Sequence, residues 1–174
     1  MLLQLYVINL AVGEQSKELL FQSMLAFTAP FLLLGPISGY VADRFAKTKV
    51  MQQVKLFEIA IMLLACLGFY WHDTKILITA LLLMGCHSAF FAPAKAAYIP
   101  ETVPEENISN ANGWLEMTTF LAIIMGQAVA GFLYTQHAGK PTYYIGFYCV
   151  GIAIIGALCS TWVNATTAVG SKQS

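Results

Sequence analysis

Four ionisable side chains stand within or at the edge of long apolar stretches of this 174-residue chain: Lys55, Glu58, Lys95 and Glu116. Lys55 and Glu58 are three residues apart, so on a helix they share a face and can pair. In hydrocarbon a charge at the centre of a helix costs at least about 2.5–3.5 kcal/mol, which drives such groups toward a protein interior or a wet cavity. Two chemistries fit this set: a buried ion-pair network acting as a gate, or a path that carries a polar solute. For Lys55 there is a third option, in which its long stem snorkels and brings the ammonium back to the headgroups. Nothing in the chain points to covalent catalysis. There is no nucleophile–base pair, no phosphate-binding loop and no cluster with metal-ligand spacing, so neither an enzyme nor a cofactor is expected. Cys66, Cys86, Cys149 and Cys159 lie in apolar runs without C-x-x-C spacing and read as small packing residues. His87, next to Ser88, reads as an interhelical hydrogen-bonding residue, and His72 and His137 fall in polar turns.

The elements that must hold these residues follow from composition. Charged residues make up 10% of the chain and hydrophobic ones 58%, against about 25% charged in a soluble domain. Mean hydropathy is +0.67. Too few polar residues exist to coat several helices in water, so the chain is expected to lie in a membrane. The nine basic and nine acidic residues balance, which gives no pull toward nucleic acid. Continuous apolar runs of about twenty residues indicate helices, because barrel strands alternate with a period of two. The pattern predicts an all-α membrane bundle over 1–163. Its spans are a short one at 1–13, then 19–42, 50–71, 75–98, 110–135 and 142–163, followed by a disordered polar tail at 164–174. The first stretch is too short to cross a bilayer and reads as the second half of a helix. A polar turn is expected at 14–18, a loop at 100–109 and a turn at 136–141, with Ser109 or Asn110 capping the fifth span.

Short connections make successive spans antiparallel, and lysine and arginine then set the orientation. Arg44, Lys47 and Lys49 crowd the turn between the second and third spans, with Lys55 close by. Lys95 and Lys172 fall on the same side, and Lys17, Lys75 and Lys140 on the other. The basic turn and the C-terminal tail are therefore expected in the cytoplasm, and Lys55, Glu58, Lys95 and Glu116 in the cytoplasmic half of the membrane. In the fifth span, Gly126-Gln-Ala-Val-Ala-Gly131 forms a small-residue surface suited to close helix packing.

The turn itself reads Gly39-Tyr-Val-Ala-Asp43-Arg44-Phe-Ala-Lys47-Thr-Lys49-Val50. It resembles the loop motif between the second and third helices of the major facilitator superfamily, with Ala46 in place of the second glycine and Thr48 in place of one basic residue. Two further segments, Phe91-Ala-Pro93-Ala-Lys95 with Ile99-Pro100-Glu101, and Ala111-Asn112-Gly113-x-x-Glu116-x-x-Thr119, are similar to the lysophospholipid transporter branch. The resemblance implies the N-terminal six-helix bundle of a twelve-helix transporter, incomplete in its first helix, in the bacterial inner membrane. It implies lysophospholipid or another amphipathic molecule as substrate, moved by alternating access. On that reading Lys95 and Glu116 meet phosphate and amine, or else gate the cytoplasmic mouth with Asp43 and Arg44. The partners implied are the bilayer, a C-terminal half or a second copy of the chain, and a lysophospholipid acyltransferase. Two other readings remain open: a proton-coupled exporter of small amphipathic compounds, and a non-transporting scaffold beside an acyltransferase.

Overall fold

A computed structural model of the chain describes residues 14–136 and 143–163. Within them lie five α-helices: α1 (Glu14–Arg44), α2 (Lys47–Trp71), α3 (Thr74–Thr102), α4 (Ile108–Gln136) and α5 (Tyr143–Ser160), with a 3-10 turn at Glu105–Asn107 before α4. They correspond to the second through sixth expected spans. The expected first span, the C-terminal tail and nearly all of the turn at 136–141 lie outside the described residues. Helices α1 and α2, Thr74–Thr102 and Glu105–Leu133 are long and apolar enough to cross a membrane, whereas the apolar stretch Gly146–Ser160 is shorter.

Element boundaries differ from expectation where polar residues were read as turns. Residues 14–18 are helical and open α1, since Glu, Gln, Ser and Lys are all compatible with a first turn once the apolar run behind them is helical. Pro100 to Thr102 extend α3, and the 3-10 turn leads straight into α4 at Ile108, so Ser109 and Asn110 sit inside the helix rather than capping it. Both ends of the α2–α3 connection are closed locally. His72 takes a left-handed conformation (φ 54°), and the Asp73 amide donates to the Gly68 carbonyl at 3.1 Å. The Asp73 carboxylate then accepts from the Lys75 amide at 2.8 Å, capping α3.

Helix α3 is the centre of the bundle. It packs on α1 and α2, α2 packs in turn on α5, and α4 touches α3 only lightly. Small residues make many of the contacts, beside a few large ones such as Ile61, Phe69 and Leu77. Ser23, Ala26, Ser38, Ala42, Ala80, Ala89, Ala94, Ala153 and Ala157 are all buried, while Leu32, Leu33 and Trp162 stand outward at 75% exposure or more. That is the inverse of a soluble core. It follows from having lipid as solvent, where close backbone approach rather than apolar burial holds helices together. Gly85 shows how close. A Cβ built there would run into the Phe27 carbonyl oxygen of α1 and lie 3.0 Å from Cγ of Pro30.

The α1–α3 seam therefore depends on the missing side chain at Gly85. Gly85→Ala is expected to destabilise the bundle by about 1–3 kcal/mol, the usual range for overpacking. Gly126→Ala on α4, where a Cβ meets nothing within 4 Å, should be neutral or slightly stabilising. Parallel unfolding curves of the two variants in lipid or detergent check this, and equal stabilities would refute it.

Candidate functional site

The basic turn is built where α1 ends and α2 begins. Lys47 in the first turn of α2 and Glu101 in the last turn of α3 each sit at the helix end whose dipole disfavours their charge. They resolve this together. Lys47 Nζ lies 2.6 Å from Glu101 Oε1, with the lysine side chain 4% exposed and the glutamate 26%. Lys47 also donates to the Asp43 carbonyl at 3.4 Å. Asp43, Arg44 and Lys49 are exposed; the Arg44 guanidinium donates to the Tyr40 hydroxyl one turn back and lies 5.7 Å from that ring's centroid. Gly39 makes no close approach, since a Cβ built there meets nothing within 4 Å.

A second cluster stands near the middle of the bundle. Lys55 Nζ donates to Glu58 Oε2 at 2.7 Å, and the same oxygen is 3.5 Å from Nε2 of His87 on α3. The Phe91 ring lies against both side chains: stacked on His87 with centroids 5.9 Å apart and an interplanar angle of 11°, and 4.9 Å from the Lys55 ammonium. On the α5 side the lysine lies beside Gly156, where a Cβ would be in ordinary contact at 3.6 Å from Nζ. Lys55 is thus held by its own helix neighbour and an aromatic face rather than drawn out to the headgroups.

The third contact joins α3 to α4. Lys95 Nζ donates to Thr119 Oγ1 at 2.6 Å, and that hydroxyl donates to the Leu115 carbonyl at 2.6 Å. Glu116 stands one turn before Thr119, is exposed, and forms no ion pair among the described residues.

The four intramembrane charges therefore fall in three places, and no contact among the described residues joins Lys95 or Glu116 to Asp43 or Arg44. At the mouth, Lys47 and Glu101 meet instead. Sequence reasoning passed over Glu101 as a loop acid, and the signal that could have found it was its place nearly two turns beyond Lys95 on an extended α3. His87 was read as a hydrogen-bonding residue, yet among the described residues neither ring nitrogen makes a hydrogen bond. Gly126 and Gly131 pack against nothing within 4 Å, so the expected close contact is not made among the described residues.

Lys47–Glu101 and Lys95–Thr119 tie together the three segments that carried the resemblance. A family model of the Major Facilitator Superfamily matches residues 5–174. The chain belongs to the major facilitator superfamily. It is an integral membrane protein, all-helical among the described residues. Among curated proteins it is similar to the lysophospholipid transporter LplT of Serratia proteamaculans, 34% identical over 113 residues, which is 65% of this chain and 27% of that protein. It is also similar to those of Yersinia enterocolitica, 33% over 115 residues (66% and 27%), and Photorhabdus laumondii, 33% over 109 residues (63% and 26%). The matched stretch spans about a quarter of the length of these relatives. No solved structure matches.

For the mouth pair, Glu101→Gln should cost about 2–3 kcal/mol. This is below the about 3–5 kcal/mol of a fully buried pair, because Glu101 is partly wetted. Adding Lys47→Met should recover most of that loss by removing the stranded ammonium. A double-mutant cycle on unfolding checks it, and additivity within about 0.5 kcal/mol would show that the pair is not coupled.

Proposed function

We propose that the chain is part of a secondary transporter that moves lysophospholipid across the bacterial inner membrane by alternating access, and that it is not an enzyme. The observation that carries this reading is the Lys95–Thr119 hydrogen bond at 2.6 Å. It brings together, across α3 and α4, the two segments most like the lysophospholipid branch, on the face where α4 is otherwise bare. Lys95 supplies a cation for a phosphate. Glu116, three residues from Thr119 and so on the same face of α4, supplies a carboxylate for an amine. A zwitterionic headgroup needs one of each, placed where desolvation makes them count. The exposed apolar surface beside them, including Met117, Phe120, Leu121 and Ile124, offers hydrocarbon for a single acyl chain.

The basic turn is assigned to the cytoplasm together with the C-terminal tail, on the lysine and arginine distribution. The Lys47–Glu101 pair then closes the cytoplasmic mouth and Lys95 with Glu116 meets the headgroup, with Asp43, Arg44 and Lys49 left to engage the opposite bundle or a second copy. A lysophospholipid acyltransferase is the partner that would consume the delivered lipid. Export of other amphipathic compounds is the alternative, and competition by such compounds for lysolipid uptake separates the two.

Uptake of labelled lysophosphatidylethanolamine into vesicles holding the transporter tests the reading. Lys95→Ala and Glu116→Gln should each lower the rate at least about tenfold, the loss of one charged headgroup contact. Rates unchanged in both variants would remove these residues from the path, and no uptake by the parent above empty vesicles would sink the transport reading.

A further inference from the structure

His87 is left unexplained by the transport path. Its imidazole is 5% exposed, and among the described residues neither ring nitrogen makes a hydrogen bond. Glu58 Oε2, 3.5 Å from Nε2, already accepts from Lys55 at 2.7 Å. A polar ring buried in this way forfeits its hydration without a full return. Packing alone would be served by an apolar side chain. The ring also stands deep: His87 is thirteen residues from one end of α3 and fifteen from the other, and Glu58 is eleven and thirteen from the ends of α2.

We propose that Lys55, Glu58 and His87 form a proton-binding site near mid-membrane, with His87 the group that takes the proton. A proton from water adds to the ring nitrogen that carries the lone pair, the neutral imidazole becomes imidazolium, and nothing leaves. Both ring nitrogens are then donors. The Nε2–H to Glu58 contact becomes a charge-assisted hydrogen bond, so His87 and Lys55 compete for one carboxylate oxygen. The loser stays over the face of Phe91, which lies against both. On the α5 side the ammonium lies beside Gly156, where a Cβ would stand 3.6 Å from Nζ. Protonation on α3 is in this way felt on α5 through a side chain of α2.

The charge balance around the ring is simple. Helix α2 presents Lys55 and Glu58, and α3 itself adds the Cys86 thiol next in sequence. Helix α1, which packs on α3 at Gly85, has no Asp, Glu, Lys, Arg or His across 19–42, and α5 has none at all. The Lys95–Thr119 contact to α4 is eight residues further along α3. A cleft of about 270 Å³ between α2 and α3 is lined by Gln53, Val54, Phe57, Cys86, His87 and Phe90.

The test is ¹⁵N NMR of the imidazole and lysine side chains of the full chain in lipid nanodiscs, from about pH 5 to about pH 9. His72→Gln and His137→Gln assign the remaining imidazole to His87. That signal is expected to pass from neutral to charged as pH falls, and the Lys55 Nζ signal of the unaltered protein to move with the same midpoint. In Glu58→Gln the Lys55 signal should no longer follow the ring, because the carboxylate they share is gone. The Lys55 signal decides the matter even if that variant does not fold. An imidazole that keeps one protonation state throughout overturns the proposal, as does one whose titration leaves Lys55 unmoved. No lipid substrate is used, so a negative result here leaves the transport reading standing, and a failed uptake assay leaves the proton site standing.

Discussion

Hydrocarbon solvates no charge, and each buried cation in this bundle is held by a partner drawn from a short list. Lys47 takes Glu101, Lys55 takes Glu58 with His87 behind it, and Lys95 takes Thr119. One helix recurs in all three. Helix α3 gives the carboxylate in the first, the imidazole in the second and the ammonium in the third, and it is also the helix against which α1 and α2 pack. The cost of each buried charge falls if α3 keeps its register, so the polar contacts and the small-residue packing at Gly85 constrain the same coordinate. Sliding α3 by one turn would move Glu101, His87 and Lys95 by about 5.4 Å together, far beyond hydrogen-bond reach.

Packing and polarity divide the work between them. In water the apolar stripe of a helix supplies most of its association energy; between helices in lipid that term nearly vanishes, because Leu against Leu is no better than Leu against an acyl chain. What remains is close contact and polar pairing. Many buried positions are accordingly Ala and Ser, with Ile61, Phe69 and Leu77 buried among them, while Phe21, Leu32 and Ile155 point out of the bundle at more than 60% exposure. Helix α4 follows the same logic to a different end. Its Gly126 and Gly131 offer a surface for close approach that no described residue occupies, and its side-chain hydrogen bond to α3 is made through the hydroxyl of Thr119.

How much of this could be read in the sequence depended on the range of the interaction. The helices themselves were legible, because twenty apolar residues in a row leave few other structures open. The Lys55–Glu58 pair was legible for the same reason: a spacing of three is a local geometric fact. Boundaries failed where polar residues continue a helix, as at Glu14 and Thr102, because membrane edges tolerate either turn or helix there. The cross-helix partners failed more deeply. Nothing in the order of residues says that Lys47 will meet Glu101, which is 54 positions later, or that His87 will lie beside Glu58. Those pairings depend on helix rotation, which is set by the small residues between helices. The loop motif drew attention to Asp43 and Arg44, but the charged side chain it buries is Lys47.

That rotation also separates the two polar faces of α3. His87 and Lys95 are eight residues apart, which on a helix of 3.6 residues per turn places them about 12 Å apart along the axis and about 80° apart around it. One therefore looks toward α2 while the other reaches α4. A rigid helix cannot turn one face without turning the other. Any change that draws His87 closer to Glu58 rotates Lys95 relative to Thr119, and a pull on Lys95 reaches Glu58 by the same lever. Such coupling needs no chain of contacts between the sites, only a helix with two polar positions and neighbours that respond to its rotation. The bare face of α4 is the side on which that response meets least resistance, since few packed side chains there would have to be displaced.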